Sequence, residues 1–170
     1  MYLEFLLVIA DYFSTLNKRI AIYEWGVPIL IGIASGILSF VNNDNVLYNI
    51  IQNSVPTIAT LLGFTLAALT LFLTGNSKIE DTKNFITKKK ISGKPISLYR
   101  LIVVSYSYLI LIETILCIGF YIASLFPYNT NRYICNIANI LFIIAMFNTF
   151  FATIRSISDL YFIITKDDRI

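Results

Sequence analysis

The chain has 170 residues, 57% of them apolar and only 14% charged, with a mean hydropathy of +0.74 and a net charge of +3. Soluble domains run near 45–50% apolar and about 25% charged, so this composition excludes a soluble globular domain and points to an integral membrane protein. The chain has no histidine, and its two cysteines, Cys117 and Cys135, fall in apolar stretches. That removes the commonest metal ligand and general base, leaves the thiols as small apolar side chains, and predicts no cofactor and no bound metal.

Residues 1–24 carry Glu4 where a secretory signal would be basic, and no small-residue cleavage site follows, so a signal peptide is not expected. Leu3, Leu6, Leu7, Ala10, Phe13 and Ile20 fall near helical spacing, while Glu4, Asp11, Lys18 and Arg19 lie mostly elsewhere on the wheel. The pattern predicts an interfacial amphipathic helix; packing of this helix against a partner is the alternative. Tyr23 and Trp25 then mark a membrane interface. A short first span is expected at residues 26–41, where Gly32 and Gly36, four apart, form a small face for close helix packing. Residues 42–54 read as a polar connection with a short amphipathic piece around Leu47–Ile51.

Pro56 is expected to open the second span, at 57–75, because proline at a helix start wastes no hydrogen bond. Thr60, Gly63, Ala67, Thr70 and Thr74 recur at steps of three and four and make one small or hydroxyl-bearing stripe. Such a stripe serves either as a packing face, with Gly63 and Ala67 at its centre, or as the wall of a narrow polar path. Residues 76–100 form a basic loop with Lys78, Lys83, Lys88, Lys89, Lys90, Lys94 and Arg100 against Glu80 and Asp81. A short helix is expected at 81–90, broken by Gly93 and Pro95. Lys83, Lys88, Lys89, Lys90 and Lys94 are the candidates for contact with anionic lipid or a protein partner. No aromatic interleaves the lysines, and nucleic acid is not expected as a partner.

The third span, at 101–126, carries one charge, Glu113, near its middle. A carboxylate there costs about 2.5–3.5 kcal/mol on insertion scales, so it must face protein, water or a partner, or carry a proton. A turn at 127–133 leads to a fourth span at 134–154, punctuated by Asn136, Asn139 and Asn148, and a charged helical tail at 155–170. With the N-terminus, the basic loop and the tail on one side, twelve of the thirteen Lys and Arg share that side and only Arg132 lies opposite. The positive-inside rule then predicts four spans with both termini cytoplasmic. The expected fold is an all-α polytopic membrane domain of four transmembrane helices behind an N-terminal amphipathic helix.

No phosphate-cradling loop, metal cluster or nucleophile elbow is present, so an enzyme is not expected. Glu113 either pins the bundle through hydrogen bonds, with Asn139 or a stripe threonine as partner, or lines a cation path together with Thr60, Gly63, Thr70, Thr74 and Asn139. Four spans with short loops enclose little room, so a pore is expected between protomers and a homo-oligomer with it.

The run PTIATLLGFTLAALTLFLTGN, the basic loop, and the third span ending ETILCIGFYIASLF before a brief turn and a charged tail resemble the RexB-type phage-exclusion proteins over residues 56–165. The best local matches are Ile58–Gly75 and Glu113–Ser124, and Glu113 stands where that family carries its intramembrane acid. The resemblance implies a small four-span ion channel of the bacterial inner membrane that depolarises the cell on infection, an abortive form of anti-phage defence. The N-terminal segment and the longer lysine loop depart from that pattern. The membrane subunit of Kiwa-type defence systems is similar in general architecture, without a shared motif. It implies the alternative, a scaffold or sensor that recruits a cytosolic effector through its basic loop.

Overall fold

The computed structural model describes residues 3–42, 46–74, 82–91, 93–125 and 132–165; the expectations for most of the 127–133 turn, for Lys78, Glu80 and Asp81, and for residues 166–170 lie outside these. Helix α1 is Leu3–Thr15. Helix α2, Lys18–Ala21, runs through a π-helical turn, Ile22–Gly26, into α3, Val27–Asn42. Helix α4 is Val46–Thr74. An antiparallel hairpin, β1 Ile86–Ile91 and β2 Lys94–Ser97, leads directly into α5, Leu98–Leu125, and α6 is Arg132–Thr165.

Four segments are long and apolar enough to cross a membrane: Lys18–Ser39, Asn53–Thr74, Leu98–Leu125 and Asn136–Tyr161. The shorter ones have 22 residues, which at 1.5 Å rise is about 33 Å and clears a hydrocarbon core of about 30 Å. The all-α polytopic fold is therefore what the chain adopts, with one small hairpin added. Burial is inverted relative to a soluble protein. Leu30, Ile37, Leu71, Ile118, Leu125 and Leu141 are more than half exposed, while Glu24, Glu113, Asn148 and Thr149 are buried. Large outward apolar faces of this kind need lipid against them.

Three boundaries differ from expectation. The helical stretch long and apolar enough for the first span, Lys18–Ser39, begins eight residues before Gly26 and passes through Glu24 in the π turn. Pro56 does not open the second span; it lies inside α4. Threonine hydroxyls beside it bond back to the backbone, Thr57 to the Asn53 carbonyl at 3.4 Å and Thr60 to the Pro56 carbonyl at 2.8 Å. The expected helix at 81–90 is mostly strand. Two β-branched residues, Ile86 and Thr87, open it, and Gly93, at φ +79°, supplies the left-handed turn that closes the hairpin. The tail beyond Arg155 is continuous with α6 as far as Thr165.

The chain divides into two compact units. The first comprises Met1–Asn17, Gly63–Leu111 and Ala152–Ile170; the second comprises Lys18–Leu62 and Ile112–Phe151. The second unit has an apolar core of Ile58, Leu116 and Phe120, flanked by Val55, Phe142 and Met146, with the Phe120 and Phe142 rings 4.8 Å apart. Within it α3 approaches α6 closely. A Cβ on Gly32 would stand 2.3 Å from Ile144 Cγ1, and one on Gly36 would stand 2.4 Å from Ile140 Cδ1. Glycine at these two positions is what permits the approach.

Candidate functional site

One face of α5 is buried along its length: Ile102, Tyr106, Leu109, Glu113, Leu116 and Phe120, at alternating steps of four and three. Glu113 belongs to that row for the same reason the leucines do, its helical phase. The carboxylate is 0% exposed. Ile110 and Cys117, three residues before it and four after, are only half-buried.

The buried face of α6 is polar. Asn136, Asn139, Asn148, Thr149, Thr153 and Ser156 are buried there, with only Ile143 and Ala152 as apolar company among the described residues. Its outward residues Ile137, Leu141, Ile154 and Ile157 are apolar. A helix with polar side chains inward and apolar ones outward suits lipid outside and hydrogen-bonding partners inside.

A second acid, Glu24, is also 0% exposed. It sits on the π turn, whose backbone bond runs from the Val27 N–H to the Ile22 carbonyl. The Asn148 side-chain amide donates to the Glu24 carbonyl at 2.8 Å, and Tyr23 meets Phe151 edge-on at 4.6 Å. π turns in helices occur frequently at functional sites. The second unit thus holds Glu24, Glu113, Asn136, Asn139, Asn148 and Thr149 in its interior. Glu24 was not among the sequence candidates. Opening the first span at Gly26 set Glu24 outside it, whereas the apolar average from Lys18 to Ser39 tolerates the acid.

The threonine stripe lies elsewhere. Thr60, Gly63, Ala67, Thr70 and Thr74 are all exposed, and a Cβ on Gly63 would meet nothing within 4 Å. The hydroxyls of Thr60, Thr70 and Thr74 each bond to a carbonyl four residues back or at that step, at 2.8 Å. The stripe is therefore an outward face with its polar atoms internally satisfied.

The basic loop is also divided. Burial alternates along β1, so Lys88 and Lys90 point outward with Ile86, while Thr87, Lys89 and Ile91 point inward. The Thr87 hydroxyl donates to the Ile96 carbonyl at 2.8 Å and accepts from the Lys89 N–H at 3.3 Å, at the register shift between Ile86 and Lys90. Lys89 Nζ donates to the Thr15 carbonyl at 2.5 Å and lies in the field of Asp159, as does Arg155. Nearby in the first unit, Tyr12 stacks on Tyr108 at 3.6 Å and the Arg155 guanidinium lies over the Tyr12 ring at 5.1 Å. Asp11 pairs with Arg100 at 3.7 Å. Lys83 stands over the Tyr99 ring at 5.4 Å, and Lys94 is exposed. Helix α1 is thus packed by its Tyr12 and Thr15 side, with Phe5, Leu6, Leu7 and Phe13 turned outward.

The chain matches no protein-family model, no curated protein and no solved structure at a significant level.

Proposed function

We propose that this protein conducts cations or protons across a bacterial inner membrane, and that it does so as an effector of anti-phage defence that depolarises the cell. The observation that carries the conduction reading is the pair of fully buried carboxylates, Glu24 and Glu113, sharing the interior of one unit with asparagine and threonine side chains. Ionisable groups at this depth are costly, and in membrane proteins they mark ion pathways and proton relays. The exposure of Thr60, Gly63, Thr70 and Thr74 moves the proposed path off the stripe and into the interior where Glu24, Glu113 and Asn139 are buried. The stripe is left as a packing face for lipid or for a second protomer. The role in defence rests on the resemblance over residues 56–165 alone. The cytoplasmic placement of both termini rests on the Lys and Arg distribution.

Purified protein in liposomes with a potential-sensitive dye tests the reading. Flux from the parent protein that falls in Glu113→Gln and Glu24→Gln supports it. Full flux in both variants removes the acids from the mechanism, and no flux from the parent leaves the scaffold reading in its place. That second reading, recruitment of a cytosolic effector, draws on the outward Lys88, Lys90 and Lys94.

A further inference from the structure

The hairpin has one surface that the conduction reading does not use. Residues 82–100 carry Lys83, Lys88, Lys89, Lys90, Lys94 and Arg100 and no acid. Alternation along β1 takes Lys89 out of the exposed set and commits it to the Thr15 carbonyl. What remains outward is a row in which Ile86, Lys88 and Lys90 share one strand face, with Pro95, paired to Lys90, beside them and Lys94 exposed at the turn. Its base is apolar: Phe85 is 49% exposed and Ile86 69% exposed.

The position of that base is fixed by the chain. The Leu98 N–H donates to the Phe85 carbonyl at 2.9 Å, and Leu98 is the first residue of a membrane-crossing segment. No linker separates hairpin from membrane. The 28-residue segment is about 42 Å long against a hydrocarbon core of about 30 Å, so its first turn, with the exposed Arg100, reaches into the headgroup layer and holds Phe85 and Ile86 beside it, and Lys88 and Lys90 follow about 7 and 13 Å along the strand. Two apolar side chains at the boundary with cations just beyond them match the layering of a lipid surface, acyl chain first and phosphate next.

We infer that the outward face of the hairpin, Ile86, Lys88 and Lys90 with Lys94 at the turn and the exposed Phe85 just before the strand, docks on anionic phospholipid headgroups. The partner is the membrane in which the protein itself sits. Lysine stems span the gap between strand and phosphate, and the apolar pair holds the strand down when salt weakens the charge contact. The inward Lys89 keeps the opposite face of the strand on α1.

Amine acetylation of the full chain in nanodiscs, read by peptide mass spectrometry, tests this. In discs containing phosphatidylglycerol, Lys88, Lys90 and Lys94 label about fivefold more slowly than in phosphatidylcholine discs, while Lys89 labels slowly in both. Salt at about 0.5 M restores most of the labelling, and in Phe85→Ser/Ile86→Ser it restores all of it. Soluble glycerol phosphate added to phosphatidylcholine discs at matched phosphate leaves the rates unchanged, which separates a lipid surface from a free phosphate. Equal labelling in the two disc types overturns the assignment. So does protection that appears only when cytosolic protein is added, whatever the lipid, because the face would then belong to a protein partner. Neither result depends on flux through the second unit.

Discussion

The two units take polar groups out of solvent by different chemistry. In the first unit the polarity is cationic and aromatic. Arg155 lies over Tyr12, Tyr12 stacks on Tyr108, Lys83 stands over Tyr99, and Lys89 reaches a backbone carbonyl. In the second unit the polarity is acidic and amidic, with Glu24 and Glu113 buried alongside Asn139, Asn148 and Thr149. Long cationic side chains can keep a head near water while their stems pack, and aromatic faces hold them at modest cost. A short carboxylate inside a span has no such reach, so its position is set by the helix that carries it. The first unit therefore spreads its stability over many contacts of about 1 kcal/mol each, whereas the second concentrates its cost on two residues.

Replacing the acids is the sharpest way to break this contrast. Glu113→Gln keeps the shape and hydrogen-bonding reach but removes the charge, and a loss of flux of about tenfold or more is expected in liposomes. Thr70→Val, on the outward stripe, is expected to leave flux within about twofold, since its hydroxyl serves only its own helix. Equal losses in the two variants would erase the distinction between interior and stripe. Next in size are the glycines. Gly32→Val drives side-chain carbons into Ile144 and is expected to cost about 1–3 kcal/mol in detergent unfolding. Gly63→Ala meets nothing and is expected to be neutral, or to stabilise by up to about 1 kcal/mol through helix propensity.

What could be read without the structure follows the same division. Helices and spans were legible because apolar length is a property of single segments, and Glu113 was legible as the one charge between Leu101 and Phe126. The burial of Glu24 was not, because it depends on a π turn that shifts the helical phase, and no residue type announces such a turn. Lys88, Lys89 and Lys90 read alike as candidates for lipid or partner contact, but a strand with period two sends the middle one inward, and that outcome hangs on the pairing of Ile91 with Lys94. The stripe at Thr60–Thr74 was correctly grouped by spacing, yet spacing fixes only which residues share a face and says nothing of what that face meets. Helix α1 shows the same limit. Its wheel separates apolar from polar residues, but it is Tyr12 and Thr15 that are buried, and Leu6 and Leu7 face out.

In the first unit, the aromatic layer should outweigh the ion pairs. Tyr12→Leu removes both the stack on Tyr108 and the ring beneath Arg155, and a loss of about 1–2 kcal/mol is expected. The loss should be local. Hydrogen exchange in α1 should quicken by about tenfold, while the amides around Ile58 and Leu116 in the second unit stay protected. Quickening in both units together would mean that they open as one and would remove the comparison.

The smallest effects separate two cations of the first unit that the sequence treats alike. Arg100 is paired with Asp11 at 3.7 Å, but its side chain is 58% exposed. Exposed pairs of that kind are worth about 0–1 kcal/mol and are screened by salt, so Arg100→Gln is expected to change exchange in α1 little, and less still at high ionic strength. Lys89 is half-buried and donates to a carbonyl at the end of α1, where the helix leaves its last acceptors open. Lys89→Gln shortens the reach by one bond, leaves the Thr15 carbonyl without that donor and removes a positive neighbour of Asp159. A cost of about 1 kcal/mol is expected, insensitive to salt and confined to the last turn of α1. If Arg100→Gln proved the more damaging of the two, the inward turn of the middle lysine would not be what holds the hairpin to α1.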